Sequence, residues 1–393
     1  MPTSSASTRP SPAAQATVRR ELPLFAAGGL GLLASELLIF AGTIWDIQWH
    51  QDVGPDTFFT APHLLVYSGA VFAGLSCLAV VLACTWRARQ PGAPSDPAVV
   101  PILRRTFWAP PGFILGGIGA SLWLVFGLYD QWWHRIYGFD VTLESAPHTG
   151  LSLADMTTLV GCISVFTLLV VRSTAHSARP AWPRIGLATT TAILLTYSFF
   201  FYAYAWMPRT IAGVVDGPLT LTAALYAFGL LLVVSVVRRP GTATLTGLVF
   251  TLLCAGAGIF SAWATPAYAD AVGLFPRDNA VGFPTILVLL PKFVLPAGVL
   301  VDLVLAVGRR RAWPVRRSVP AAAGVGAVAL VGLEALLLTG IDGFPFPVTS
   351  PLGTTVAGVG VGAVSGWAGW KAGVVLRRIA ISPTHATSTK EEP

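Results

Sequence analysis

The sequence predicts an all-α fold: a polytopic integral membrane bundle of about ten transmembrane helices with both termini in the cytoplasm. Three observations carry that prediction. The 393 residues are 54% hydrophobic and only 11% charged, where a soluble domain carries about 25% charged residues. Ten apolar stretches are each long enough, at about 18–25 residues, to cross a bilayer as a helix. The arginines fall on alternate loops, as the positive-inside rule requires.

Taken in order, residues 1–20 are rich in Ser, Ala, Pro and Thr and read as a disordered cytoplasmic tail. The spans follow near 23–44, 62–84, 110–129, 148–171, 185–206, 218–237, 242–263, 281–307, 318–340 and 352–376. The first is too long for a signal-peptide core and is expected to be retained. If ten helices alternate, Arg19/Arg20, Arg87/Arg89/Arg104/Arg105, Arg172/Arg179/Arg184, Arg238/Arg239, Arg309 to Arg311 with Arg316/Arg317, and Arg377/Arg378 share one side. The other side receives Arg135, Arg209 and Arg277, with the acids Asp52, Asp56, Asp140, Glu144, Asp270 and Asp278. The basic side is cytoplasmic, so the chain is expected in the cytoplasmic (inner) membrane as a multi-pass protein, with the loops at 45–61 and 130–147 facing outward. The linker 85–109 is rich in Pro, Arg and Ala and is expected to have little regular structure. The last span carries Gly358, Gly360, Gly362, Gly366 and Gly369, small residues that permit close helix packing. Residues 379–393 read as a second cytoplasmic tail. The chain thus divides into residues 21–172 (helices 1–4) and 185–378 (helices 5–10).

The net charge of +7 follows from this topology. The basic residues form short loop clusters without a soluble domain, so nucleic acid is not an expected partner; the lipid bilayer is. Cys77, Cys84, Cys162 and Cys254 all fall in spans without a CxxC spacing and are expected to pack as small apolar side chains.

Two stretches repeat one pattern. The first runs Asp46, His50, Gly54, Asp56, Ala61, Pro62, His63; the second runs Asp130, His134, Gly138, Asp140, Ala146, Pro147, His148. Four of only six histidines lie in them. Asp-x3-His places both side chains on one helix face, a turn apart. The second His opens the next helix behind Ala-Pro, with Thr60 and Ser145 as expected N-caps. Each hairpin therefore converges one carboxylate and two imidazoles, a set suited to copper, zinc or iron with a fourth position open. A lone His at a membrane surface is more often a hydrogen-bonded interfacial residue; the doubled spacing and the Asp partner favour metal here. The flanking Trp45, Trp49, Trp132 and Trp133 match an ordinary interfacial belt.

Other ionisable residues within spans are Glu36, Asp155, Lys292, Asp302, Glu334 and Lys371, functional candidates by position. Asp155 shares a stripe with His148 and Ser152 and could orient an imidazole, add a ligand or relay protons. Glu36 lies about 15 Å deeper than Asp46 on an ideal helix, as a proton relay or a partner of Lys292. Glu334 and Lys292 could pair, whereas Asp302 and Lys371 suit snorkelling.

The doubled motif resembles the C subunit of the copper-containing membrane monooxygenases, the particulate methane, ammonia and short-chain hydrocarbon enzymes. The likeness covers about residues 40–150. Asp46, His50 and His63 match that subunit's Asp/His/His metal site, and the run Asp56-Thr57-Phe58-Phe59-Thr60-Ala61-Pro62-His63 is similar to its segment before the last ligand. Asp130, His134 and His148 match the neighbouring site, where the family commonly has Asn first. Ten spans exceed that subunit's number, and this chain lacks the soluble cupredoxin-like domain that a partner subunit supplies. The resemblance implies copper, oxidation of a small apolar or amine substrate by O2 with electrons from quinol, and other monooxygenase-type subunits as partners; self-association is a further expectation. Two rivals stand beside it. One is a copper transport, storage or assembly protein, disfavoured as a Cu(I) transporter by the scarcity of Met. The other is a zinc-dependent membrane hydrolase using Asp52, Asp56 or Glu144 as base.

Overall fold

Ten helices long and apolar enough to cross a membrane dominate the chain, as the hydropathy predicts. The computed structural model describes residues 12–92, 96–138, 144–173, 180–204, 206–340, 348 and 350–381. Four helices come first: α1 (Pro12–Asp52), α2 (Ala61–Ala88), α3 (Pro111–Tyr137) and α4 (Ala146–Ser173). Then α5 (Trp182–Ser198) runs on through a π-helical turn, Phe199–Tyr204, and α6 (Gly217–Val237) and α7 (Thr242–Ala271) follow. Short α8 (Ile286–Leu289) and α9 (Val294–Arg310) share one span. The next joins α10 (Val315–Ala327), a second π turn at Val328–Gly332, and α11 (Leu333–Thr339); α12 (Pro351–Ile381) is the last.

Two sequence expectations change here. Residues 12–20, expected to be disordered, are the first turns of α1; the run of Ala and Gln after Pro12 is a good helix start. The rest of that tail, and residues 382–393 of the other, lie outside the described residues. The linker at 85–109 is partly ordered. Its α2 part is helical to Ala88, and β1 (Val100–Ile102) pairs antiparallel with β2 (Phe107–Ala109). That hairpin is anchored by Thr85, whose hydroxyl accepts the Trp108 N–H at 2.9 Å, and by Asp96, whose carboxylate meets the Arg172 guanidinium at the end of α4.

The bundle exposes apolar stripes on its outer surface. Leu64, Val71, Leu75, Leu78 and Leu82 are exposed on α2 at helical spacing. Leu252, Ile259 and Trp263 form a similar stripe on α7. In water such continuous stripes would be unfavourable; facing lipid tails they are the expected surface. All four cysteines are free thiols. Lys292 does pair with Glu334, Nζ to Oε1 at 2.9 Å, and also donates its backbone N–H to Oε2 at 2.9 Å. This leaves Glu36 without the lysine partner considered for it. Asp302 does not snorkel. Its Oδ2 accepts the Thr244 N–H and hydroxyl, both at 2.8 Å, satisfying donors at the start of α7. Lys371 lies over the Trp367 ring at 4.7 Å.

Within the first half, α1 packs on α2 and α3 on α4. The second pair is held together by small residues: a Cβ added at Gly161 of α4 would stand 2.5 Å from the Gly116 nitrogen and 2.6 Å from the Gly112 carbonyl of α3. Because backbone faces backbone there, Gly161→Val must push the helices apart. The expected cost is about 1–3 kcal/mol, read as a lower unfolding temperature in detergent.

Candidate metal centre

Helices α1 and α3 run past the predicted span ends and carry both Asp-x3-His pairs on their last turns. The connections are consequently shorter than the loops expected at 45–61 and 130–147. Two glycines end these helical stretches. Gly138 caps α3 at φ +84° and Gly54 follows α1 at φ +103°, in the left-handed region where other residues are strained. At Gly54 a side chain would also strike the Arg277 guanidinium, 2.0 Å from the Cβ position.

At the first centre, His63 Nε2 lies 3.1 Å from Asp46 Oδ1 and His50 Nε2 lies 3.5 Å from the same oxygen. A second carboxylate closes the group. Asp56 Oδ2 is 3.5 Å from His50 Nε2 and 3.4 Å from His63 Nε2. At the second centre, Asp130 Oδ1 is 3.4 Å from His134 Nε2 and 3.5 Å from His148 Nε2. The paired imidazoles take nearly the same pose in both, with ring centroids 6.2 Å apart at 55° and 6.1 Å apart at 56°.

These separations are informative. A charge-assisted N–H···O bond between an imidazolium and a carboxylate spans about 2.7–2.9 Å. Four donors arranged tetrahedrally around an ion, each at about 2.0–2.1 Å, stand about 3.3–3.4 Å from one another. Five of the six distances, at 3.4–3.5 Å, match the edge of such a shell better than a hydrogen bond. The tautomers agree. His63 Nδ1 lies 3.0 Å from the Thr57 carbonyl and His134 Nδ1 lies 3.2 Å from the Gly138 carbonyl. A carbonyl can only accept, so each Nδ1 carries a proton, and each ring turns its Nε2 toward a carboxylate. Either a proton on Nε2 or a metal ion can join that nitrogen to the facing carboxylate. An Nδ1–H held by a backbone carbonyl is also the usual setting of a metal-ligating histidine. Both groups could hold a metal ion, with donor atoms within 4.8 Å of one another.

Asp56, offered by the sequence only as a possible base, joins the first group of potential ligands. The signal was present: in the second copy Asp140 stands at the matching place, two residues after the glycine. Asp140 itself lies outside the described residues. If Asp56 is a fourth donor, Asp56→Ala lowers metal affinity at the first centre about 10–100-fold, the range seen when a supporting group is lost. Titration of the purified protein with the metal should show one weakened and one unchanged site.

Thr60 and Ser145 do precede α2 and α4, but neither caps through its side chain. The Thr60 hydroxyl donates to the Thr57 carbonyl at 2.9 Å and accepts the Thr57 N–H at 2.8 Å, and the Ser145 hydroxyl is buried without a hydrogen bond. The reason lies in the following Ala-Pro: Pro at the second helical position removes one of the N–H groups a cap would reach. Thr60 instead shapes the loop that presents the Thr57 carbonyl to His63.

The tryptophans of the first copy are not an interfacial belt. Trp49 is 1% exposed, donates its indole N–H to the Pro55 carbonyl at 2.8 Å, and packs on Tyr268 of α7 with ring centroids 4.9 Å apart. Trp45 meets Phe260 and Tyr268. Beside them Gln48 accepts from Ser261 at 2.5 Å and donates to Asp52 at 2.9 Å. Asp52 in turn accepts the N–H groups of Val281 and Gly282 at 3.0 and 3.2 Å. Asp52 is thereby committed to holding the α7–α8 loop and is poorly placed to act as a base. Trp132 of the second copy, by contrast, is exposed.

Both centres open on one cavity of about 710 Å³. Its wall includes residues of both halves: Tyr67, Trp123 and Asp155 from the first, and Tyr197, Phe201, Arg277 and Leu289 from the second. Glu144 is at its exposed edge. Phe201 stands in the π turn after α5, a distortion often found at functional sites. Asp155 lines the cavity with the Trp123 indole beside it as a donor. Comparison of the chain with protein-family models, with curated proteins and with solved structures finds no match.

Proposed function

We propose that this is a membrane metalloprotein whose two Asp/His centres face one cavity, and that with copper bound it works as, or within, an O2-dependent monooxygenase. The observation that supports the metal reading is the spacing of the donor atoms, with Nε2 and carboxylate oxygens near 3.4–3.5 Å from one another. The choice of copper and of oxygenation rests on the resemblance of residues 40–150 to the C subunit of the copper membrane monooxygenases. Copper held there would supply O2 activation. The chain's own residues would position the ion and receive the substrate: the wall offers Ile39, Val66, Leu151, Ile286 and Leu289, which suits a small apolar or amine molecule entering from the bilayer. In this reading the cavity faces away from the cytoplasm, as the arginine distribution requires, and quinol and a partner with a soluble cupredoxin-like domain complete the electron supply.

The test is product formation. The protein in lipid nanodiscs, loaded with copper, is given a quinol, 18O2 and either a short alkane or an amine. An 18O-labelled product that disappears in His50→Ala or His134→Ala supports the proposal. Tight copper binding with no O2 consumption, with or without added subunits, would turn the reading to a copper transport or assembly protein. Selective retention of zinc would favour a hydrolase.

A further inference from the structure

Beneath the two centres lie two acids that nothing neutralises. Glu36 of α1 is fully buried and Asp155 of α4 is 3% exposed. None of their four carboxyl oxygens has a hydrogen-bond partner. Glu36 sits ten residues before Asp46 and Asp155 seven after His148, about 15 Å and 10 Å further into the bundle on ideal helices. The two act on each other electrostatically, and Asp155 lines the cavity whereas Glu36 is not among its lining residues.

Among the described residues no counter-charge pairs with either acid. The titratable groups that feel the pair from the helices packed against it are Cys77 of α2, Cys162 of α4 and Tyr197 of α5; all are neutral or acidic. Lys292, the intramembrane lysine nearest in kind, is taken by Glu334. Two carboxylates buried in an apolar interior, with only the Trp123 indole N–H beside Asp155 as a donor, cannot both stay ionised. A metal ion is a poor occupant. Glu36 and Asp155 belong to neither group of converging ligands, and the neighbouring hydroxyls of Tyr197 and Thr43 are bonded to each other at 3.2 Å.

We propose that Glu36 and Asp155 form a proton-holding acid pair at the inner end of the cavity. The pair keeps at least one proton at neutral pH, and Asp155, on the wall, is the member that exchanges it with the cavity. This gives the protein a proton store under both metal centres, reached through the same space as the substrate. It does not depend on which metal binds or on any turnover.

Infrared spectroscopy of the metal-free protein in nanodiscs reads the pair directly. At neutral pH the wild type should show the carbonyl stretch of a protonated carboxylic acid, shifting on transfer to D2O. The band should be lost in the double variant Glu36→Gln/Asp155→Asn, whose amides mimic the neutral acids. Asp155→Glu, which keeps the acid but moves it, should shift the band and so serves if the double variant does not fold. A spectrum without a protonated-acid band, or one unchanged by these variants, overturns the proposal. A band that D2O leaves in place overturns the exchange through Asp155.

Discussion

Alanine at His50 should remove one metal ion per chain, and alanine at His134 should remove the other, with the double variant binding none. Each histidine supplies a donor that two carboxylate contacts or one surround at 3.4–3.5 Å, so its loss leaves an incomplete shell. The expected fall in affinity at the altered centre is on the order of 100-fold or more, beyond the 10–100-fold typical of supporting groups. Because the two centres draw on different helix pairs, the effects should be independent within the error of the assay. Metal analysis of each purified variant after equilibration at fixed free metal checks this. Equal loss from both centres on either substitution would mean that the pairs are not separate sites.

Asp96→Ala should destabilise the protein by about 3–5 kcal/mol, the cost of stranding one member of a buried ion pair. Asp96 is the 1%-exposed partner of Arg172, whose side chain is 7% exposed. One guanidinium nitrogen reaches Asp96 Oδ2 at 2.8 Å and the other reaches Oδ1, a bidentate fork that lysine could not reproduce. The same guanidinium lies over the Phe25 ring at 5.3 Å, so α1, α4 and the α2–α3 linker meet at this point. Arg172 is 24 residues beyond His148, about 36 Å along an ideal helix, so metal content of the folded fraction should not change. Thermal or denaturant unfolding in detergent, read beside metal stoichiometry, separates the two effects. A stability within about 0.5 kcal/mol of wild type, the range of an ordinary surface change, would deny the pair this role.

The parts of the molecule that depend on local pattern were legible in the sequence. Ten hydropathy runs become ten helices because a long apolar segment can satisfy its backbone only within itself. The Asp46/His50 and Asp130/His134 pairs meet because i and i+4 share a helix face, and His63 and His148 join them because Pro starts a helix directly after a short turn. What was not legible depends on contacts between distant residues. Asp56 sits in a loop without periodicity, and its role emerges only when the turn at Gly54 folds it back on the histidines. Trp45 and Trp49 look like belt residues until α7 is placed against them, more than 200 positions later. The same distance hides the part played by the second half. Ser261, Val281 and Gly282 hold the end of α1, and Tyr197, Phe201 and Arg277 complete the cavity.

The most direct measurement is element-specific anomalous scattering from crystals of the full chain soaked with or purified in the metal. Two peaks are expected per chain. One should lie among Asp46, His50, Asp56 and His63 and the other among Asp130, His134 and His148, both bordering the shared cavity. Anomalous density elsewhere in the protein, or none at either cluster under conditions where the metal is bound in solution, would contradict the assignment of these residues as metal ligands.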